Sequence, residues 1–251
     1  MFLFDVDGTL TPTRELINEK FSKFFYKFCE NNEVYIVTGS DRAKTVYQLG
    51  ETLYNKAKRV YQCSGSDVWE KDKNVNTREK YDRVRCHEAP PMGSFGWECP
   101  STLSLYLELE LNASKFEKKT GKHIEERPGM INFSILGRGE DSMKYRSDYV
   151  AWDRKMEERD KLAQNLRRLF PHLGVTIGGQ TGLDIAPAGH DKSQVLRDFE
   201  THDTITFFGD KTFVGGNDYT LAHAIITQNR GKVHQVSDYN DTWEILRSKY
   251  T

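Results

Sequence analysis

Short apolar runs alternate with longer amphipathic stretches along most of the 251 residues, and the two periods mark strands and helices respectively. The opening Met1-Phe2-Leu3-Phe4 is apolar and breaks at once into Asp5-Val6-Asp7-Gly8. That is the pattern of a buried strand whose C-terminal end delivers polar groups into a loop. Over residues 16–31, Phe21, Phe24, Phe25 and Phe28 recur at helical spacing and predict a core-facing stripe. A strand over Val34–Val37 leads into Thr38-Gly39-Ser40-Asp41, a helix covers Arg42–Leu49, and a further strand lies near Arg59–Gln62. This alternation predicts a parallel, doubly wound sheet.

The middle of the chain has a different texture. Residues 81–100 carry three of the seven prolines and no clear period, which suggests a boundary near residue 80. The leucines at 103, 105, 107, 109 and 111 alternate like a strand, yet Leu103, Leu107 and Leu111 would also form one helical face, so both states stay open. Segments 122–126 and 130–136 flank Arg127-Pro128-Gly129, a turn that suits a hairpin. A long charged helix is predicted over 152–170, carrying alternating signs on a solvated face. Strand and helix signals then resume at 176–177, 183–186, after Asp191-Lys192, at 204–208, after Asp218 and at 232–236. The fold class expected is α/β: a Rossmann-like parallel-sheet core from residues 1–80 and 188–251, with an α+β unit, 81–187, inserted as a cap.

Composition narrows the function classes. The chain is 37% hydrophobic and 29% charged, with 36 Lys+Arg against 37 Asp+Glu and a formal charge of −1. That balance belongs to an ordinary globular protein and lacks the footprint of nucleic-acid or anionic-membrane binding. Its apolar runs are far shorter than the roughly 20 residues that span a bilayer, and Asp5 and Asp7 interrupt any leader-like stretch, so a cytoplasmic location is expected. Cys29, Cys63, Cys86 and Cys99 form no CxxC pair and are expected as free thiols.

Four pieces end a predicted strand or begin a helix: Asp5-Val6-Asp7-Gly8-Thr9, Val37-Thr38-Gly39-Ser40, Lys192, and Gly209-Asp210-Lys211 through Gly216-Asn217-Asp218. In a parallel sheet such ends converge on one edge. Asp5, Asp7 and Asp210 offer hard oxygen ligands of the kind Mg²⁺ prefers. Lys192, with Thr38 or Ser40, can neutralise and hydrogen-bond phosphoryl oxygens. One carboxylate can attack phosphorus while the other moves protons. The set describes a phosphoryl-transfer site.

DVDGTLT, Thr38, Lys192 and the GDK…GGND segment resemble the four motifs of the haloacid dehalogenase-like (HAD) phosphotransferases. Arg14, ERPGMINFSILGR at 126–138, IGGQTGLDIAP at 177–187 and FFGDKTFVGGND at 207–218 further resemble the eukaryotic-type phosphomannomutases. The resemblance implies Asp5 as nucleophile, Asp7 as acid/base and, through its carbonyl, a metal ligand, and Asp210 as a further ligand of Mg²⁺. It also implies that Lys192 holds the transferring phosphoryl group, with Thr38 beside it as a catalytic candidate on the strength of its strand-end hydroxyl. Arg14, Arg127, Arg138, Arg146 and Asp184 would bind the hexose phosphate, Arg146 after a one-residue insertion in the alignment. The chain departs from the family in having Thr38 for glycine, Gly182 for serine and Ser64-Gly65 for Asn-Gly.

The expected activity is therefore a phosphohexomutase, an isomerase that interconverts mannose 6- and 1-phosphates through an aspartyl phosphate, with a hexose bisphosphate as activator. The alternative is a HAD-type sugar-phosphate phosphatase, in which water replaces the acceptor hydroxyl. A catalytically silent sugar-phosphate binding protein fits less well, since every core residue of the chemistry is present. The expected partner is a small hexose phosphate, with a homodimer as the candidate assembly.

Overall fold

The computed structural model describes residues 1–71, 81–86 and 99–250. The chain divides into two compact units, Met1–Cys86 with Asp191–Thr251, and His87–His190. Along the first unit run β1 (Phe2–Phe4), α1 (Glu19–Asn31), β2 (Val34–Val37), α2 (Arg42–Leu49), α3 (Glu51–Tyr54), β3 (Arg59–Gln62), β4 (Asp67–Lys71) and β5 (Tyr81–Cys86). The second unit holds α4 (Ser101–Ala113), β6 (Ile124–Arg127), β7 (Met130–Phe133), α5 (Arg146–Met156), α6 (Glu158–Leu169), β8 (Leu173–Gly178) and β9 (Gly182–Pro187). The first unit then closes with β10 (Ile205–Gly209), α7 (Tyr219–Thr227), β11 (Gly231–Gln235) and α8 (Tyr239–Lys249).

Among the described residues the first unit forms a seven-stranded sheet in the order β11-β10-β1-β2-β3-β4-β5. The strands from β11 to β3 pair in parallel, whereas β4 and β5 join antiparallel. Residues 81–86, expected in the inserted unit, thus form an edge strand of this sheet, paired with β4. An antiparallel neighbour needs only a hairpin connection, not a crossover helix.

Consecutive apolar residues are required where a parallel strand is buried on both faces, as in β1, β2, β3 and β10; β11, at the sheet edge, has no buried residue. Phe4, Ile36, Val60 and Phe208 point to one face, where Phe21, Phe25 and Phe28 of α1 and Leu246 of α8 cover them. Their neighbours Leu3, Val37, Tyr61 and Phe207 point to the other, against Val195, Leu196, Leu221 and Ile225. Burying each such Leu or Phe is worth about 1.5–3 kcal/mol. The α1 helix starts at Asn18, whose side chain accepts the Lys20 and Phe21 N–H groups.

In the second unit β6-β7-β9-β8 form an antiparallel sheet. Alternation sorts its faces: Ile131, Phe133, Leu183 and Ile185 join the helix-covered core, while Asn132 and Asp184, paired in register across β7 and β9, lie on the opposite face. The leucine-rich segment left open above is the helix α4, with Leu103 and Leu107 buried and Leu105 and Leu109 exposed. The long helix predicted over 152–170 is instead two helices, broken at Glu157 with φ 54°. The break is stabilised by Asp153, whose carboxylate accepts both the Arg159 N–H at 2.9 Å and its Nε at 2.7 Å. Arg146 is the first residue of α5.

Candidate active site

The C-terminal end of β1 carries Asp5 and Asp7 apart. Asp5 extends the strand, its N–H donating to Phe208 O at 2.9 Å, and its side chain is almost fully buried. Beyond it the chain folds over Val6, whose carbonyl accepts the N–H groups of Thr9, Leu10 and Thr11. Gly8 is required in this turn: its φ is +86°, and a Cβ there would stand 2.6 Å from Asp210 Oδ2. Asp210 directly follows β10, the 3-10 turn Lys192–Asp198 begins with Lys192, and α7 begins after Asp218.

The Lys192 ammonium, itself buried, donates to Asp5 Oδ1 at 2.5 Å and to Asp218 Oδ1 at 2.6 Å. Asp210 is paired with Lys211, whose backbone N–H donates to Asp218 Oδ2 at 3.1 Å. Carboxylate oxygens of Asp5, Asp210 and Asp218 lie within 4.8 Å of one another. Burial pushes Asp5 up to about 8, against the pull of Lys192 and with repulsion from Asp218 and Asp210 adding to it. Asp210 is raised for the same first reason, opposed by Lys211. Burial lowers Lys192, but Asp218 and Asp5 outweigh it and hold the lysine charged. Burial first, and the carboxylates' mutual repulsion after it, work against negative charge in the cluster. A divalent cation with a preference for oxygen ligands relieves that repulsion.

Asp7 turns to different partners. Its carboxylate accepts from Lys44 Nζ at 2.5 Å, the Arg14 N–H at 2.6 Å and Gln48 Nε2 at 2.9 Å. Burial would raise it, yet the Lys44 ammonium and these hydrogen bonds prevail and hold it far below the usual carboxylate range. Thr38 is buried where β2 ends, its N–H donating to Tyr61 O at 2.8 Å and its Oγ1 accepting the Ser40 N–H at 3.1 Å.

The second unit gathers most of the predicted sugar-phosphate residues on the polar face of its sheet. Arg138 donates to Thr181 Oγ1 at 3.1 Å and to Asn132 Oδ1, while Asn132 Nδ2 donates to Asp184 Oδ1 at 2.7 Å. Arg127 pairs with Glu125 at 2.5 Å, and Arg138 Nε lies 3.9 Å from the same oxygen. Arg146 Nε donates to Gln180 Oε1 at 2.7 Å. Gly182 admits this packing, because a Cβ there would stand 2.8 Å from both Arg138 Nη2 and Asn132 Nδ2. Arg14 belongs to the first unit, where it has φ 65° and meets Asp7 through its backbone.

Residues 21–251 match the family model described as eukaryotic phosphomannomutase. The chain belongs to that family. A phosphomannomutase of Triticum aestivum is 35% identical over 248 residues, covering 98% of this chain and 93% of the relative. That of Saccharomyces cerevisiae is 33% identical over 250 residues, covering 98% and 92%. Among solved structures, an N-terminally truncated, IMP-bound Plasmodium falciparum IMP-nucleotidase superposes with TM-score 0.60 at 15% identity, covering 98% of this chain and 67% of that one. A haloacid dehalogenase-like hydrolase from Bacteroides thetaiotaomicron gives 0.54 at 12%, covering 98% and 97%. At such identities these structures speak to the fold alone, and it is the α/β HAD fold expected from the motifs. No helix among the described residues is long and apolar enough to cross a membrane.

Four participants escape motif reading. Asp218 closes a recognised segment, but nothing in the sequence separates a ligand-forming Asp from a helix-starting one. Lys44 and Gln48 stand at i and i+4 of a helix predicted correctly, a spacing that puts both on one face. Asn132 was hidden inside an apolar strand, where period-two alternation alone marks it as facing away from the core.

Proposed function

We propose that this protein is a Mg²⁺-dependent phosphomannomutase that interconverts mannose 6-phosphate and mannose 1-phosphate through a phosphoryl group carried on Asp5. The observation that carries the reading is the division between the two aspartates: Asp5 buried against Lys192 and Asp218, Asp7 engaged separately by Lys44 and Gln48. Starting from phosphorylated Asp5, Asp7 takes the proton of a sugar hydroxyl as that oxygen bonds phosphorus and the Asp5–phosphorus bond breaks. The ionised state in which Asp7 is held suits that half. After the bisphosphate turns round, Asp5 attacks the other phosphorus and Asp7 returns its proton to the leaving sugar oxygen. Lys192 and the Thr38 hydroxyl hold the phosphoryl oxygens.

Asp5, Asp210 and the Asp7 carbonyl would hold Mg²⁺, with Asp218 beside them, and the bound ion supplies positive charge to the phosphoryl oxygens. A hexose bisphosphate serves as activator by loading Asp5. The inserted unit acts as the cap: Arg127, Arg138 and Arg146 grip the phosphate that is not reacting, and Asp184 and Arg14 contribute to sugar-phosphate binding. Within this reading the enzyme is cytosolic and a homodimer is its expected assembly. Incubation with mannose 1-phosphate and a hexose bisphosphate should yield mannose 6-phosphate; hydrolysis with no isomer formed would make the protein a sugar-phosphate phosphatase instead.

A further inference from the structure

All four acceptor directions of the Asp7 carboxylate are engaged. Oδ1 takes the Arg14 N–H and Gln48 Nε2, while Oδ2 takes Lys44 Nζ and, at 3.5 Å, Ser40 Oγ. An ionised carboxylate offers about four such sites, so a proton can enter only where a donor withdraws. The donors on Oδ1 are fixed: one is backbone, and Gln48 is fully buried with its amide nitrogen also donating to Thr11 Oγ1 at 3.0 Å. On Oδ2, Ser40 is buried and its contact is long, and Lys44 is the donor with room to move. Lys44 keeps a quarter of its side chain exposed, and its ammonium already has a second acceptor, Ser40 Oγ, at 2.8 Å.

Both donors from α2 ride on one rigid arm. Lys44 and Gln48 are one turn apart, and the helix start is pinned by Asp41, whose carboxylate accepts the Lys44 N–H at 2.8 Å. Resting on the phosphoryl-transfer reading above, we infer that Lys44 is a positioning residue for the acid/base step, fixing the Asp7 carboxylate with Gln48 so that Oδ2 exchanges the proton with the substrate oxygen. As the sugar hydroxyl gives its proton to Oδ2, the Lys44 ammonium shifts its hydrogen bond to Ser40 Oγ and keeps its own protons. When Oδ2 returns the proton to a leaving sugar oxygen, Lys44 comes back. No redox change or co-reactant is involved.

Substrates that differ in their need for a proton test this. A sugar oxygen leaves poorly without one, whereas 4-nitrophenolate leaves unaided, so only hexose phosphate turnover depends on Asp7 acting as acid. General acid–base catalysis contributes roughly 10²–10⁴-fold. Both turnovers also use Asp7 as base when phosphorylated Asp5 is emptied, so the rates to compare are those of Asp5 phosphorylation in a single turnover. In Lys44→Met the ratio of hexose phosphate to 4-nitrophenyl phosphate should fall by about ten- to a hundredfold, with Lys44→Arg recovering part and Lys44→Gln lying between Lys44→Met and Lys44→Arg. The double variant Lys44→Met/Asp7→Asn should lose no more of that ratio than Asp7→Asn alone. A purely structural role would lower both rates together and leave the ratio where it was. If Asp7→Asn collapses the ratio and no Lys44 variant moves it, or if the two losses multiply, the role of Lys44 is overturned while the enzyme reading stands. If Asp7→Asn leaves the ratio unchanged, the acid/base assignment falls and the inference with it.

Discussion

The two units handle charge in opposite ways. In the first, three carboxylates crowd together, Asp5 and Asp218 on buried Lys192 and Asp210 on Lys211, and burial leaves Asp5 and Asp210 raised from their ordinary values. In the second, the arginines already lie in networks of amide, hydroxyl and carboxylate groups: Arg138 with Asn132 and Thr181, Arg127 with Glu125, Arg146 with Gln180. A reacting centre gains from unmet charge, because a cation and a phosphoryl group can then satisfy it at the moment of reaction. A recognition surface gains from order, because guanidinium forks fixed beforehand lose less freedom on binding.

The largest effect that separates the units comes from removing Asp5, the proposed nucleophile. Asp5→Asn should abolish phosphoenzyme formation and lower turnover of sugar phosphate and of 4-nitrophenyl phosphate alike, by at least about 10⁴-fold. Trapping of a labelled phosphoenzyme checks it. Covalent label retained on Asp5→Asn would put the nucleophile elsewhere and dissolve the contrast.

Chelation comes next. Metal removal should stop turnover and Mg²⁺ should restore it. The first unit should also register the ion through its protons. Asp5 lies at about 8 in the fold against an ordinary 3.8, so the metal-free fold binds the extra proton. Its contribution to stability is complete below about pH 4 and is lost as the pH rises through 8. An ion that replaces this proton should therefore raise Tm more at pH 8 than at pH 5, measurable by thermal scans with and without Mg²⁺. An equal increment at both values would separate the ion from Asp5.

Arg138 tests the other side. A charge-assisted contact is worth roughly 1.5–3 kcal/mol, so Arg138→Ala should lower bisphosphate-activated mutase efficiency by about ten- to a hundredfold. Hydrolysis of the small aryl ester should fall far less. Arg138→Lys should rescue little, since an ammonium cannot copy the fork held by Asn132 and Thr181. Equal losses on both substrates would mean that Arg138 does not grip a phosphate remote from the reaction.

The same difference decided what the sequence made legible. Strands buried in the sheet are written as short runs rich in apolar residues, and polar residues stand directly after them, so β1, β2, β3 and β10 and the places of Asp5, Thr38 and Asp210 at strand ends could be read from local pattern. Interactions across the fold could not: the Asp7–Lys44 pair joins residues 37 positions apart, and Asn132 meets Asp184 52 positions on. The break at Glu157 escaped because the helical period continues through it, and it is fixed by a bond from Arg159 back to Asp153 that no period records. The α4 leucines were ambiguous since a helix that buries Leu103 and Leu107 but exposes Leu105 and Leu109 alternates like a strand.

The smallest effects come from one substitution made in both units. Gly8→Ala places a methyl group 2.6 Å from Asp210 Oδ2 at a φ of +86°, so it meets backbone strain of about 1–2 kcal/mol and displaces a carboxylate of the reacting cluster. Gly182→Ala meets the ends of two side chains, Arg138 Nη2 and Asn132 Nδ2 at 2.8 Å, and has no left-handed backbone to strain. Those ends can yield, so its cost should stay near the lower limit of overpacking, about 1 kcal/mol, and it should be felt as a severalfold rise in KM for the sugar phosphate. Gly8→Ala should lower Tm and depress kcat on both the sugar phosphate and the aryl ester. Gly182→Ala should leave Tm and aryl ester hydrolysis close to those of the parent. If the two variants give the same substrate profile, the separation of reacting centre from recognition surface is wrong; if only Gly8→Ala touches the aryl ester, each glycine serves the charge arrangement of its own unit.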